Sequence, residues 1–237
     1  WNPSTGLSNS AISNPVATPA STTTYTVTGT SLGCSATDQV VVTVLPLPLA
    51  NAGTSVSICV GSNTTLNASG GVSYTWSPAA SLSANNISNP VATPVVTTQY
   101  TVTVVDANNC SATDSVTVSV HQLPNANAGP DASICINNNT TLNASGGVTY
   151  LWSPSTGLTS PTGSSSTVSL SNTTTANDTV NYILTTSWYG CTAKDTVKVI
   201  VKPVPTANAG SNLYLCSGVN GQLGTISTNG YAYSWTP

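Results

Sequence analysis

Cysteine is the residue type with the clearest chemical meaning in this 237-residue sequence. Six cysteines fall into two sets, and each member of the first set precedes a member of the second by 25 residues. Cysteines spaced so regularly in a chain with very little charge are typical of disulfide bonds formed in an oxidising, extracellular setting. There is no CxxC pair and no histidine cluster, so the cysteines do not indicate a zinc site. The first set is Cys34, Cys110 and Cys191, and the second is Cys59, Cys135 and Cys216.

The acidic residues are too scattered for carboxylate catalysis. All six are aspartates, and Asp38, Asp114 and Asp195 recur at intervals of 76 and 81 residues, each at the start of an alternating, strand-like stretch. A glycosidase needs two carboxyl groups within about 10 Å of each other, and these three belong to separate copies of a repeat. His121 is the only histidine and lies in the stretch HQLPNANAG, which is typical of a solvated linker. We therefore predict that the chain is not an enzyme and binds no cofactor.

Calcium is the metal that the sequence comes closest to supporting. Asp106 with Asn108, or Asp131, could contribute oxygen ligands. Calcium takes six to eight such ligands, and neither place offers that many. We predict no bound metal.

Charge and hydrophobicity exclude two classes of partner. Only 4% of residues are charged, with three lysines and no arginine. Nucleic acids and anionic membranes both require Lys or Arg to neutralise phosphate. The longest apolar stretch, VVVTVL at 40–45, has the length of a strand and falls far short of the roughly 20 residues that span a bilayer. We predict no nucleic acid partner and no membrane insertion.

The positions of these residues are set by an internal repeat of about 75 residues. ISNPVATP occurs at 12–19 and again at 87–94, and TTLNASGGV occurs at 64–72 and 140–148. ANAG recurs three times, and a tryptophan follows Tyr-x in each copy. This phase predicts two complete domains between two partial ones, with boundaries at 1–46, 47–121, 122–202 and 203–237.

Each repeat has the sequence pattern of half-buried β-strands. Apolar and polar residues alternate in VSYTW, where Val72, Tyr74 and Trp76 share one face, and in YTVTV at 100–104. Six or seven such strands in about 75 residues predict a two-sheet sandwich. Proline-rich linkers join the repeats. We therefore predict an all-β protein of tandem immunoglobulin-like β-sandwich domains arranged as an extended rod.

The pairing of the cysteines has two solutions. The 25-residue step from one set to the other crosses the proline-rich domain boundary, so we favour pairing within a repeat, Cys59 with Cys110 and Cys135 with Cys191. Cys34 and Cys216 would then pair outside this sequence. One difficulty is that in an immunoglobulin-like topology these positions can fall toward opposite ends of the sandwich, whereas a disulfide needs Cα atoms within about 7 Å.

The run of motifs ANAG, SIC, TTLNASGG, SYTWSP, ISNPVATP and YTVTV resembles the tandem immunoglobulin-like, or PKD-like, repeats of very large secreted surface proteins of Bacteroidota, including gliding-motility-associated adhesins. The resemblance covers essentially the whole chain. It implies a β-sandwich fold, export by the type IX secretion route and a cell-surface or extracellular location. The repeat at 122–202 departs from the pattern, because six extra residues lie between Trp152 and Tyr182 where ISNPVATP should stand.

Two functions are compatible with these features. In the first, the array is a stalk or filament shaft whose partners are neighbouring repeats and other copies of the filament, and ISNPVATP is a structural segment whose Ile and Val close the sandwich. In the second, exposed aromatic residues bind a polysaccharide, and Trp188 with Tyr189 are the candidate glycan contacts. The resemblance also implies O-glycosylation of Asp-Ser/Thr-apolar triplets. The candidate residues are Ser115, Thr179 and Thr196.

Overall fold

The computed structural model describes residues 1–205, 207–224, 232 and 234–236. The chain divides into two compact units, Trp1–Gln122 and Leu123–Pro237. Regular structure within the described residues consists of β-strands only. No helix there is long and apolar enough to cross a membrane.

The first unit begins with a single hairpin. Strands β1 (Thr23–Ser31) and β2 (Cys34–Val42) pair antiparallel, from Thr23 opposite Val42 to Ser31 opposite Cys34. Tyr25 is fully buried, and its hydroxyl donates to the Thr5 carbonyl over 2.9 Å.

The same unit contains a complete sandwich. One sheet has four strands in the order β3-β8-β7-β5, and the other consists of β4 and β6. Strand β3 pairs parallel with β8, whereas the other pairs are antiparallel. The strands are β3 (Val56–Cys59), β4 (Thr64–Thr65), β5 (Ser73–Ser77), β6 (Val91–Ala92), β7 (Thr98–Val105) and β8 (Ser111–His121).

The second unit repeats this topology, and four of its six strands are longer than their equivalents in the first unit. Its four-stranded sheet has the order β11-β13-β14-β9, with β9 parallel to β14, and its second sheet pairs β10 with β12. The strands are β9 (Ala132–Cys135), β10 (Asn139–Asn143), β11 (Thr149–Ser153), β12 (Ser165–Ser169), β13 (Asp178–Trp188) and β14 (Cys191–Lys202).

The core of each sandwich lies between its two sheets. In the first unit Trp76 and Tyr100 of the large sheet pack with Leu66, which follows β4 of the small sheet. In the second unit Trp152 and Tyr182 of the large sheet pack with Leu142 on β10. Buried residues alternate with half-buried or exposed ones along β7 and β14, as the period-two pattern predicted. The prediction of an all-β fold with immunoglobulin-like β-sandwich repeats is confirmed.

Val72 is an exception to the predicted core face. It precedes β5 and is 70% exposed, although Tyr74 and Trp76 pack in the core as expected. Val72 lies where the chain leaves the NASGG turn and enters β5. Its N–H bonds to the Val105 carbonyl, but its side chain is not part of the core face of the strand.

ISNPVATP is structural, but its Ile and Val do not close the sandwich. Ile87 and Val91 are 40% and 37% exposed, whereas Pro90, Ala92 and Pro94 are buried. The Ile87 carbonyl accepts the indole N–H of the core tryptophan over 3.0 Å. The segment therefore contributes its backbone and its small residues to the core.

The repeat without the octapeptide meets the same needs with other residues. The Gly163 carbonyl accepts the indole N–H of Trp152 over 3.1 Å, and the fully buried Val168 on β12 takes the place of Ala92 on β6. Asn172, which is 4% exposed, donates to the carbonyls of Ala176 and Val201 and thereby holds the longer connection to β13.

The predicted disulfides within a repeat are wrong. Cys110 and Cys135 are free cysteines, so neither Cys59–Cys110 nor Cys135–Cys191 is formed, whereas Cys59 and Cys191 are each disulfide-bonded. The physical reason is that β3 pairs parallel with β8, so that Cys59 lies opposite His121. Cys110 precedes the other end of β8. Cys34 and Cys216 are free, and their pairing with cysteines outside this sequence stays a prediction.

Candidate functional site

In each of the two complete repeats, hydrogen bonds join the ANAG turn to the last strand. In the first unit a carboxylate oxygen of Asp114 accepts the Ala52 N–H over 2.8 Å, and in the second unit Asp195 accepts the Ala128 N–H over the same distance. The asparagine of the motif closes the turn, since the Asn51 side-chain oxygen accepts the Gly53 N–H over 2.7 Å. Gly53 has φ +85°, a conformation that favours glycine. We call this arrangement the ANAG latch.

The latch changes the acidity of its aspartates. The backbone N–H groups of Ala52 and Ser115 hold the pKa of Asp114 below its ordinary value, because they stabilise the charged carboxylate. The N–H groups of Ala128 and Thr196 lower the pKa of Asp195 in the same way. These carboxylates act as structural hydrogen-bond acceptors.

The residues considered for calcium make structural hydrogen bonds. Asp106 accepts the N–H groups of Asn108 and Cys110 in the turn between β7 and β8. Asp131 accepts the Lys198 N–H over 2.8 Å and so fixes the start of β9 against β14. Within the described residues no group of three or more His, Cys, Asp or Glu side chains could hold a metal ion. His121, expected in a linker, is the last residue of β8.

The three candidate O-glycosylation residues are exposed. Ser115 on β8 and Thr196 on β14 each precede a buried valine and therefore point away from the core. Thr179 lies near the start of β13. The Ser115 hydroxyl lies 2.8 Å from the Thr101 hydroxyl of the neighbouring strand. The aspartates before Ser115 and Thr196 are those of the ANAG latch, so an architectural role already accounts for two of the three Asp-Ser/Thr pairs.

Trp188 and Tyr189 are adjacent in the hairpin between β13 and β14. Their rings stack with centroids 5.8 Å apart and planes 18° apart, and they are 49% and 70% exposed. Tyr189 and Gly190 both have positive φ, at 49° and 79°, as a tight two-residue hairpin requires. The turn conformation thus places two large aromatic residues at one end of the sheet.

A shallow groove lies beside Trp188. Its lining includes the Gly146–Gly147 pair and two exposed apolar side chains, Val148 at 67% and Leu123 at 49%. The side chains of Leu123, Val148 and Trp188 make the lining apolar and aromatic, and Asn125 adds a polar group. A sugar ring could be recognised here by stacking, although one face of Trp188 is already covered by Tyr189.

The ANAG latch is the arrangement that sequence reasoning missed. Its two parts are 62 residues apart in the first unit and 67 in the second, so neither alternation nor local turn signals connects them. A usable signal was present, because ANAG and an aspartate before a valine-rich strand recur together in both complete repeats.

No protein-family model and no curated protein sequence matches this chain. Among solved structures, it is similar to extracellular domains 3–5 of Drosophila OTK at 9% identity and a TM-score of 0.43, over 76% of this chain and 71% of that one. It is similar to Sidekick-1 immunoglobulin domains 1–4 at 16% identity and a TM-score of 0.36, over 65% of this chain and 48% of that one. It is also similar to the insect immune protein hemolin, at 11% identity and a TM-score of 0.36, over 76% of this chain and 56% of hemolin. These three TM-scores are below 0.5, and the β-sandwich fold follows from the strand order and the core of each unit.

Proposed function

We propose that this chain belongs to a non-catalytic, extracellular repeat array that forms the stalk or filament shaft of a large bacterial surface adhesin or fibre. The observation that carries this proposal is that the repeated motifs are used by the architecture. ANAG binds the last strand of its own repeat, and ISNPVATP supplies a carbonyl to the core tryptophan. Residues that recur for structural reasons are what a spacer requires.

The finer parts of the proposal follow from the sequence resemblance. They are a Bacteroidota surface protein of the gliding-motility-associated type, export by the type IX route, and lateral contacts with other repeats or other copies of the filament. An extracellular location agrees with the disulfide-bonded state of Cys59 and Cys191.

Paired deletions in the parent protein test the spacer role. One variant lacks residues 122–202 and the other lacks residues 47–121. We expect both variants to bind surfaces as the parent does, because each loses only length. Loss of binding in the first variant alone would identify the repeat at 122–202 as a binding module.

The second candidate function is polysaccharide binding by the groove beside Trp188. It is favoured by the stacked, exposed Trp188–Tyr189 pair next to Val148. A glycan array with the 237-residue chain tests it, using Trp188→Ala as the variant and Tyr214→Ala, an exposed aromatic outside the groove, as the control. Binding that Trp188→Ala abolishes and Tyr214→Ala preserves would establish this function, and an array without signal would end it.

We also propose O-glycosylation at Ser115, Thr179 and Thr196, which are all exposed on strands. Mass spectrometry of protein from its native source should find a saccharide on these residues. Unmodified residues in such material would end the proposal, and the aspartates of the two triplets at 114 and 195 would retain only their role in the latch.

A further inference from the structure

The first and last strands of each complete repeat run parallel to each other. β3 pairs with β8 from Val56 opposite Val118 to Cys59 opposite His121, and β9 pairs with β14 over four residue pairs in the same way. The chain enters each repeat ahead of the first strand and leaves it after the last one. Tension along the chain therefore pulls the two strands of each pair in opposite directions along their length.

In the first repeat, hydrogen bonds on both sides of β3 continue its connection to β8. After β3, the Val60 N–H donates to the His121 carbonyl over 2.8 Å. Before β3, the Thr117 N–H donates to the Ser55 hydroxyl oxygen over 3.1 Å, and the ANAG latch lies ahead of Ser55 in the chain. The connection between the two strands thus extends beyond their paired residues at both ends.

The second repeat makes the same connections. The Ile136 N–H donates to the Lys202 carbonyl over 3.1 Å, and the Lys198 N–H donates to a carboxylate oxygen of Asp131 over 2.8 Å. Asp131 follows the ANAG motif of its repeat at the same distance as Ser55 follows the motif of the first repeat. Two different side chains thus accept a backbone N–H from the last strand, which indicates that the bond is a requirement of this position.

The direction of these bonds makes them resist tension together. Hydrogen bonds between parallel strands lie across the strands, so sliding one strand past the other strains all of them at once. The antiparallel pair β7 and β8 is different, because tension reaches it only after β3 has separated from β8. The bonds to aspartate are the strongest of the set, since hydrogen bonds to charged groups are stronger than neutral ones.

We propose that the parallel strand pair and the ANAG latch of each complete repeat together form the element that resists tension, which we call the shear clamp. The latch aspartates, Asp114 and Asp195, hold the first strand of the clamp to the last one at the point where the chain enters the repeat. The inference deepens the proposed function and rests on it, because a stalk or filament shaft is subject to tension.

Magnetic tweezers test the clamp in the 237-residue chain, held at its two ends under constant load with its cysteines reduced. Unfolding of one complete repeat should lengthen the chain in a step of about 200 Å. Asp195→Ala removes the latch of the second repeat. The matched control is Thr186→Val, which removes the bond from the Thr186 hydroxyl to the Thr149 carbonyl, between β13 and β11 and outside the clamp. The first repeat is unchanged in both variants and is the internal reference.

We expect Asp195→Ala to shorten the lifetime under load of one of the two long steps about tenfold or more. Thr186→Val should leave both lifetimes close to those of the unsubstituted chain, even where urea unfolding without load shows that it lowers stability. Equal shortening by the two variants, or no shortening by Asp195→Ala, would overturn the proposal.

Asp131→Ala provides a second test that does not depend on the latch. It removes the carboxylate that accepts the Lys198 N–H, and it should also shorten the lifetime of one long step. If the second repeat with Asp195→Ala does not fold, this variant decides the question, and an unchanged lifetime would overturn the proposal. No binding partner is used, so a negative result leaves the spacer role standing, whereas the paired deletions test that role separately.

Discussion

At the scale of single residues, the two latch aspartates are ionisable groups whose protonation is tied to folding. Asp114 and Asp195 each accept a backbone N–H from the ANAG turn of their own repeat, and their pKa values are lowered as a result. A group whose pKa is lower in the folded state contributes stability above its unfolded pKa, and this stability is lost as pH falls through the folded value.

The latch therefore predicts a loss of stability in acid. The Tm of the unsubstituted 237-residue chain should fall as pH drops below about 4, where aspartate begins to be protonated in the unfolded chain. The D114N/D195N variant should have a lower Tm at neutral pH and a smaller fall in acid, measured by circular dichroism. Asp178→Asn is the control, because Asp178 bonds to the N–H of the next residue and not to the turn. If the Tm of the double variant fell in acid as much as the Tm of the unsubstituted chain, the role of the latch would be contradicted.

The glycines of the NASGG turn matter because backbone passes directly over them. A Cβ at Gly146, which has φ +95°, would lie 1.7 Å from the Asn125 carbonyl oxygen, whereas a Cβ at Gly190, which has φ +79°, would meet nothing within 4 Å. Gly146→Ala should cost about 3 kcal/mol or more, from overpacking and from positive φ together, and Gly190→Ala only about 1–2 kcal/mol. Urea unfolding of both variants measures this difference, and equal costs would contradict the close approach.

At the scale of elements, local alternation predicts strands well and long-range pairing poorly. Tyr100, Val102 and Val104 are buried on β7 as their spacing indicated, because alternation reports which face of a strand is apolar. The parallel pairing of β3 with β8 joins residues 62 positions apart and leaves no local signal. For that reason the fold class could be predicted from sequence, whereas the cysteine pairing and the ANAG latch could not.

Strand β11 allows the alternation to be tested with two neighbouring residues. Trp152 is 1% exposed in the core and Leu151 is 51% exposed on the other face. Trp152→Ala should lower the free energy of unfolding of its repeat by about 3–5 kcal/mol, and Leu151→Ala should change it by roughly 0.5 kcal/mol. Denaturant unfolding measures both. Similar losses for the two variants would mean that the assigned faces of β11 are wrong.

At the scale of the whole molecule, the outstanding property is the scarcity of charge. Only 4% of the residues are charged, so folding depends on strand pairing and on the apolar cores. Few charges are available for salt to screen.

Stability should consequently be insensitive to moderate salt. Between about 0.05 M and about 0.5 M sodium chloride the Tm should change by less than about 3 °C, since screening weakens only exposed charge pairs. Differential scanning calorimetry at fixed pH measures this. A large decrease in Tm with salt would reveal an electrostatic contribution that the composition does not suggest.

In the proposed function the repeats act through their fold and length and not through a site of their own. Replacing residues 122–202 of the parent protein by a second copy of residues 47–121 tests it most directly, because the swap keeps a complete repeat but removes Trp188, Tyr189 and the neighbouring groove. Surface binding by the swapped protein is then compared with that of the parent. The spacer account predicts equal binding at equal surface display, and loss of binding by a folded, displayed variant would contradict it.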